Sequence, residues 1–201
     1  MKKSKFNVNR IAKDALLLAL LVICAWVSIP VGASPITLQV FGVILIILLA
    51  PQVDSIIIVL AYVLMGTFGL PVFNGGTSGF TSLTYGFIVG FLAAAIIIYL
   101  YTIIFLRKRK QKLFDIIIKC VIFEIVIYIF GLSWFAVLSD AKSFFGWFVY
   151  FLPYLGIDAI KCVVAVLIYT RLIPILKRQS EQNMRDDSEI EENEDQKDSS
   201  N

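Results

Sequence analysis

The chain has no histidine among its 201 residues. That removes the side chain most often used as a general base near neutral pH, and a common metal ligand. Cysteine is scarce: Cys24, Cys120 and Cys162 each stand alone in an apolar run. None is spaced for a metal, so they read as small buried residues rather than redox or zinc chemistry. There is no G-x-x-x-x-G-K-[ST] loop either. Gly75-Gly76-Thr77-Ser78-Gly79 lacks the lysine that would reach a nucleotide's phosphates. No nucleophile–base pair or metal-ligand cluster occurs. The sequence thus excludes ATP hydrolysis by this chain and argues against an enzyme. No cofactor, metal or nucleic-acid partner is expected.

Charge is also sparse, at 16% of residues, against 59% hydrophobic and a mean hydropathy of +0.84. A soluble domain is nearer one-half apolar. Apolar runs over 16–29, 55–70, 83–106, 120–138 and 144–175 approach or exceed the roughly 20 residues needed to cross a bilayer core. The chain therefore reads as a multi-pass, all-α membrane protein embedded in lipid. The N-terminal basic start and apolar core imitate a signal peptide. The next apolar run begins almost at once, so the first is read as a retained helix.

The net charge of +3 hides a split. Residues 179–201 carry two basic and nine acidic residues, and residues 1–178 carry +10. The division predicts a membrane domain over 1–178 and an acidic, disordered cytoplasmic tail over 179–201, which has too little apolar surface to bury.

Basic residues set the orientation. Lys2, Lys3, Lys5, Arg10 and Lys13 precede the first span; Arg107, Lys108, Arg109, Lys110 and Lys112 form a central basic loop; Lys177 and Arg178 end the last span. By the positive-inside rule all three groups are cytoplasmic, as are both termini. Six spans satisfy this: about 11–29, a short one at 38–50, then 55–69, 83–106, 113–138, and a sixth ending at Lys177. Two irregular segments then face outward. One is the proline-bearing 30–39; the other is the glycine-rich 70–87. Irregular backbone at membrane depth is tolerated where it is buried in protein or lines a cavity.

Four ionisable residues set in from the span ends qualify as candidates: Lys119, Glu124, Asp158 and Lys161. Such residues cost about 3 kcal/mol each on insertion scales and mark candidate functional sites. Lys119 lies near the cytoplasmic end, where it can snorkel. Glu124 is deeper and is read equally as a helix partner or a binding group. Asp158 and Lys161 share a helix face at i, i+3 spacing. They lie roughly 29 Å and 24 Å along the helix from Lys177, in the outer half. The irregular segments and this charged face predict an outer pocket for a small, partly apolar molecule, with Phe73, Phe80, Tyr85 and Tyr154 available as walls. Such a ligand would offer N–H groups to Asp158 and an anion to Lys161. In the first helix Ala12, Ala15 and Ala19 form a small-residue stripe, which serves either internal packing or the close approach of another helix.

The elements Ser28-Ile29-Pro30-Val31-Gly32, Pro35-Ile36-Thr37-Leu38-Gln39, Gly66-Thr67-Phe68-Gly69-Leu70-Pro71-Val72-Phe73, Gly75-Gly76, Gly90-Phe91 and Pro153-Tyr154-Leu155-Gly156-Ile157-Asp158-Ala159-Ile160-Lys161 occur in this order. Together they resemble the BioY family, the biotin-specific substrate-binding (S) components of energy-coupling factor (ECF) transporters. The resemblance covers about 12–176. It implies a six-helix S component in the bacterial cell membrane that captures biotin from outside. It also implies two kinds of partner, a transmembrane coupling protein and two ATPase subunits. Ala12, Ala15 and Ala19 would then be the docking stripe for the coupling protein. Asp158 and Lys161 look like the family's last-helix pair. Asn74, Gly75, Gly76, Thr84, Tyr85, Phe73, Thr37 and Gln39 complete the substrate-binding set. Asp158 is expected to accept a ureido N–H, with Asn74 or Thr84 completing the contact. Lys161 either neutralises Asp158 or reaches the carboxylate, which backbone N–H groups of Gly75 and Gly76 also suit. Where the family usually reads Pro-Thr-Gly-Gly-Tyr, this chain has Leu83-Thr84-Tyr85-Gly86-Phe87. Two alternatives stand beside this reading: an S component for another vitamin, and an ion-coupled secondary transporter using Glu124.

Overall fold

The computed structural model describes residues 8–31, 34–106, 111–138 and 144–198. Its helices are α1 Val8–Trp26, α2 Gln39–Leu49, α3 Gln52–Thr67, α4 Tyr85–Tyr101, α5 Leu113–Leu138 and α6 Phe144–Asp198. A π-helical turn, Thr102–Leu106, continues α4. Tyr85–Leu106 and Phe148–Ile175 are long and apolar enough to cross a membrane; α2 and α3 are apolar but shorter. Most of the expected basic loop, residues 107–110, lies outside the described residues, as do Asp140 and Lys142.

The segment expected to be merely irregular after α1 contains a small hairpin. Strands β1 Ser28–Ile29 and β2 Ile36–Thr37 pair antiparallel, Ser28 opposite Thr37 and Ile29 opposite Ile36. Pro30 and Pro35 both lie outside the two paired stretches, where their missing N–H breaks no ladder bond. Leu38 N–H then donates to Val27 O at 3.2 Å, tying the entry of α2 to the exit of α1.

Hydrogen bonds sort the helix ends. At one end Arg10 holds Asp54 through both carboxylate oxygens, joining the starts of α1 and α3. Thr102 bonds the Gln52 side chain there, bringing in the end of α4. At the opposite end Trp26 Nε1 donates to Pro71 O at 2.9 Å and Trp134 Nε1 to Ser82 O at 3.1 Å. Tyr154 Oη lies 2.8 Å from Val31 O and 2.9 Å from Ser34 O. The hairpin, the 70–84 loop, the end of α5 and the early part of α6 therefore meet at this second end.

The chain divides into two compact units, Met1–Val166 and Leu167–Asn201. The first unit holds the core. α2 is buried along nearly its whole length, from Gln39 to Leu48, as a helix apolar all round should be. That explains why so short an element persists: packing supports it on every side. α4 and α5 approach closely because side chains are missing where they touch. A Cβ on Gly86 would sit 2.2 Å from Trp134 Cβ, and one on Gly90 would sit 3.0 Å from Ile127 Cα. Small residues four apart are what close helix contact in lipid requires. From the facing helix Gly131 admits the Phe87 ring, which a Cβ there would meet at 2.4 Å.

In the second unit α6 continues through Asp198. Residues Gln179 to Asp198, expected above as a disordered tail, are thus helical in this structure. The segment holds five Glu and three Gln, good helix formers that need no buried face to hold the backbone conformation.

Candidate functional site

A pocket opens at the loop-bearing end of the first unit, with about 560 Å³ of space, its open mouth included. Every main element around it contributes. The hairpin supplies Ser34 to Thr37, α2 supplies Gln39 and Val40, and the connecting loop supplies Asn74 and Thr84. Phe87, Ile88 and Phe91 come from α4 and Tyr128 from α5. α6 brings Phe151, Tyr154, Ile157, Asp158 and Lys161. The walls are mostly apolar with a few convergent polar groups, the usual make-up of a small-molecule site.

The charged wall lies between α5 and α6. Lys161 Nζ donates to Asp158 Oδ1 at 2.6 Å, and Tyr128 Oη donates to Asp158 Oδ2 at 3.0 Å. The Lys161 and Asp158 side chains are 11% and 12% exposed, so the pair is largely desolvated. The i, i+3 step of one helix makes this contact local, and Tyr128 reaches across to complete the carboxylate's partners. A buried pair of this kind holds because each charge has a partner and hydrogen bonds satisfy what remains.

The opposite rim is neutral. Asn74 lies in a short 3₁₀ turn, Asn74–Gly76. Its Nδ2 donates to Thr84 Oγ1 at 3.3 Å, and its Oδ1 accepts from Thr77 Oγ1 at 2.6 Å. Ser82 and Thr84 hydroxyls lie 3.0 Å apart. Gly75 and Gly76 have φ of 62° and 83°, a left-handed bend that side-chain-bearing residues disfavour. Deeper in, Gln39 Nε2 donates to Tyr62 Oη at 2.6 Å, and Tyr62 Oη donates to Val72 O at 3.0 Å. That chain anchors the start of α2 to the strap leading into the loop.

Six sequence-predicted residues line the pocket together: Thr37, Gln39, Asn74, Thr84, Asp158 and Lys161. Four others stand outside its lining. Phe73 turns inward, 1% exposed, into the space that Gly66 leaves. Its ring meets Tyr62 edge-on with centroids 5.4 Å apart. Tyr85 directs its hydroxyl to Thr67 Oγ1 at 2.8 Å. Gly75 and Gly76 shape the bend, and Gly76 N–H is already bound to Phe73 O at 2.9 Å. Of the suggested walls, Tyr154 lines the pocket and Phe80, 60% exposed, does not. Sequence reasoning missed Tyr128, Phe87, Phe91 and Phe151. Two carried a weak signal: Tyr128 stands one helical turn beyond Glu124 and so shares its face, and Phe91 belongs to the Gly90-Phe91 element.

Other candidates have defined surroundings. Lys119 is 1% exposed, so protein rather than solvent covers it, and its ammonium reaches back to Gln111 Oε1 at 3.5 Å. Ala12, Ala15 and Ala19 are all exposed on α1, which leaves them out of internal packing. Trp26 and Trp134 donate to loop carbonyls at the pocket end.

A family model for the BioY family matches residues 1–178. The chain belongs to the BioY family. It is 34% identical over 171 residues to "Biotin transporter BioY" of Thermotoga maritima, covering 82% of this chain and 96% of that relative. It is 27% identical over 174 residues to "Biotin transporter BioY2" of Lactococcus lactis subsp. cremoris, covering 85% and 92%. Among solved structures it is similar to the S-component for biotin from an ECF-type ABC transporter, with a TM-score of 0.77 over 87% of this chain and 95% of that one. At 24% identity that likeness speaks to the fold alone. Every residue that lines the pocket falls within the matched residues 1–178.

Proposed function

We propose that this chain captures biotin as the S component of an ATP-driven ECF-type importer. The observation that carries the reading is the Tyr128–Asp158–Lys161 wall facing a neutral Asn74–Thr84 rim within a BioY-family fold. Biotin's ureido ring has two N–H donors and one C=O acceptor, its bicycle and chain are apolar, and its carboxylate is anionic. Asp158 accepts a ureido N–H; Asn74 and Thr84 supply neutral partners; Phe87, Phe91 and Phe151 surround the apolar parts. Gly76 N–H is already bound to Phe73 O, which takes it out of holding the carboxylate.

The chain is read as a non-enzymatic transport component in the cell membrane, with ATP hydrolysis in two separate ATPase subunits. Six spans with both termini cytoplasmic agree with the alternation of helix ends, since Arg10 and Asp54 share one end and the pocket the other. Residues 1–178 form the membrane substrate-binding domain and 179–201 a cytoplasmic tail. The exposed Ala12, Ala15 and Ala19 stripe supports docking of a transmembrane coupling protein, because a bare small-residue face admits another helix.

The test is equilibrium binding of labelled biotin to the purified chain in detergent, with riboflavin and thiamine as competitors. Tight binding displaced by biotin alone is expected. A folded chain that ignores biotin would overturn the assignment, and displacement by another vitamin would reassign the specificity.

A further inference from the structure

The mechanism above leaves Glu124 unused. Glu124 and Tyr128 are one turn apart on α5, and Asp158 and Cys162 are one turn apart on α6. The two helices therefore meet in two rungs. Tyr128 Oη donates to Asp158 Oδ2 at 3.0 Å, and Cys162 Sγ donates to Glu124 Oε1 at 3.0 Å. Glu124 Oε2 is buried with no hydrogen-bond partner. Lys161 adjoins Cys162 in the chain, and both Lys161 and Asp158 are near enough to Glu124 to act on it electrostatically.

Both Asp158 oxygens are engaged, one by Lys161 and one by Tyr128. A ligand N–H that takes Asp158 Oδ1 competes with the ammonium. An ammonium pushed off with no second partner would be a buried unpaired charge, which is strongly disfavoured. We propose that Glu124 Oε2 is that second partner: on ligand entry Lys161 moves one rung along, from Asp158 to Glu124. The flexible four-carbon stem of lysine suits such a swing. The other ionisable groups around Glu124 are Cys120, Tyr128 and, further along, Lys119 on α5, with Asp158, Lys161 and Cys162 on α6. Lys119 directs its ammonium to Gln111, which leaves Lys161 as the cation for the vacant oxygen. Glu124 is thus a positioning residue: it acts on the ligand through Lys161 and Asp158.

This inference rests on the biotin reading, and its test separates the two. Biotin affinity is measured on the full chain in detergent for wild type, Glu124→Gln, Lys161→Gln and the double variant, beside the melting temperature of each empty protein. Glu124→Gln keeps shape and the Cys162 contact, so biotin binding should weaken about tenfold with little change in melting. In the double variant the loss should not exceed that of Lys161→Gln alone, because the vacant seat matters only when Lys161 needs it. Glu124→Asp, which keeps the charge, should recover part of the loss and serves the same purpose if the Gln variant does not fold. Wild-type affinity in Glu124→Gln, or losses that add in the double variant, would overturn the inference while leaving biotin capture standing. A wild type that does not bind biotin would remove both.

Discussion

The two sides of the pocket are built differently. One side is a charged wall on α5 and α6, where Tyr128, Asp158 and Lys161 are held to one another by hydrogen bonds from two helices. The other is a neutral rim on the 70–84 loop, where Asn74, Thr77, Ser82 and Thr84 bond mainly to one another. The wall's groups are costly to desolvate and hold their geometry because each has a partner. The rim's hydroxyls and amide can exchange partners with a ligand at little cost, since each such bond nets only about 1 kcal/mol. On the biotin reading proposed above, the division predicts a wall that sets the strength of binding and a rim that controls entry and exit.

The comparison can be broken from the wall first. Asp158→Ala removes the carboxylate that both Lys161 and Tyr128 bind, so stability should fall by about 2 kcal/mol. Biotin affinity, read by calorimetry, should fall roughly a hundredfold with it. Tyr128→Phe removes one hydrogen bond to a charged oxygen and keeps the ring, so affinity should drop about tenfold. On the rim, Asn74→Ala should weaken binding only about threefold, mostly as a faster off-rate in stopped-flow measurements. The smallest effect is expected for Gly75→Ala. A methyl there would meet Ser28 Cβ at an ordinary 3.7 Å, so the cost is backbone strain at φ 62°. That is about 1 kcal/mol of stability with affinity unchanged. A rim substitution that matched Asp158→Ala would erase the distinction between wall and rim.

The helices were legible because apolar runs and basic flanks say where a membrane chain turns; α5 falls on the predicted 113–138. The hairpin was not, since two-residue strands between prolines leave no periodic pattern. Asp158 and Lys161 announced themselves as charges in an apolar helix, and their shared helix face followed from spacing, while the choice between mutual pairing and ligand contact stayed open. Loop residues were harder. Nothing in the order Phe73-Asn74-Gly75-Gly76 says that Asn74 faces the pocket and Phe73 packs under Gly66. That depends on a left-handed bend whose direction the surrounding contacts set. Tyr128 was hidden because one tyrosine among apolar residues is usually packing, and only the helix opposite gives its hydroxyl a purpose.

The indoles of Trp26 and Trp134 each donate to a carbonyl on the segment that edges the pocket, Pro71 and Ser82. An indole's emission responds to the hydrogen bond and polarity at its nitrogen. Two of the protein's three tryptophans are therefore native fluorophores wired to opposite ends of the same loop. Replacing Trp147 and either one of them with phenylalanine leaves the other as a single optical reporter, so loop movement can be followed in real time without attaching a dye.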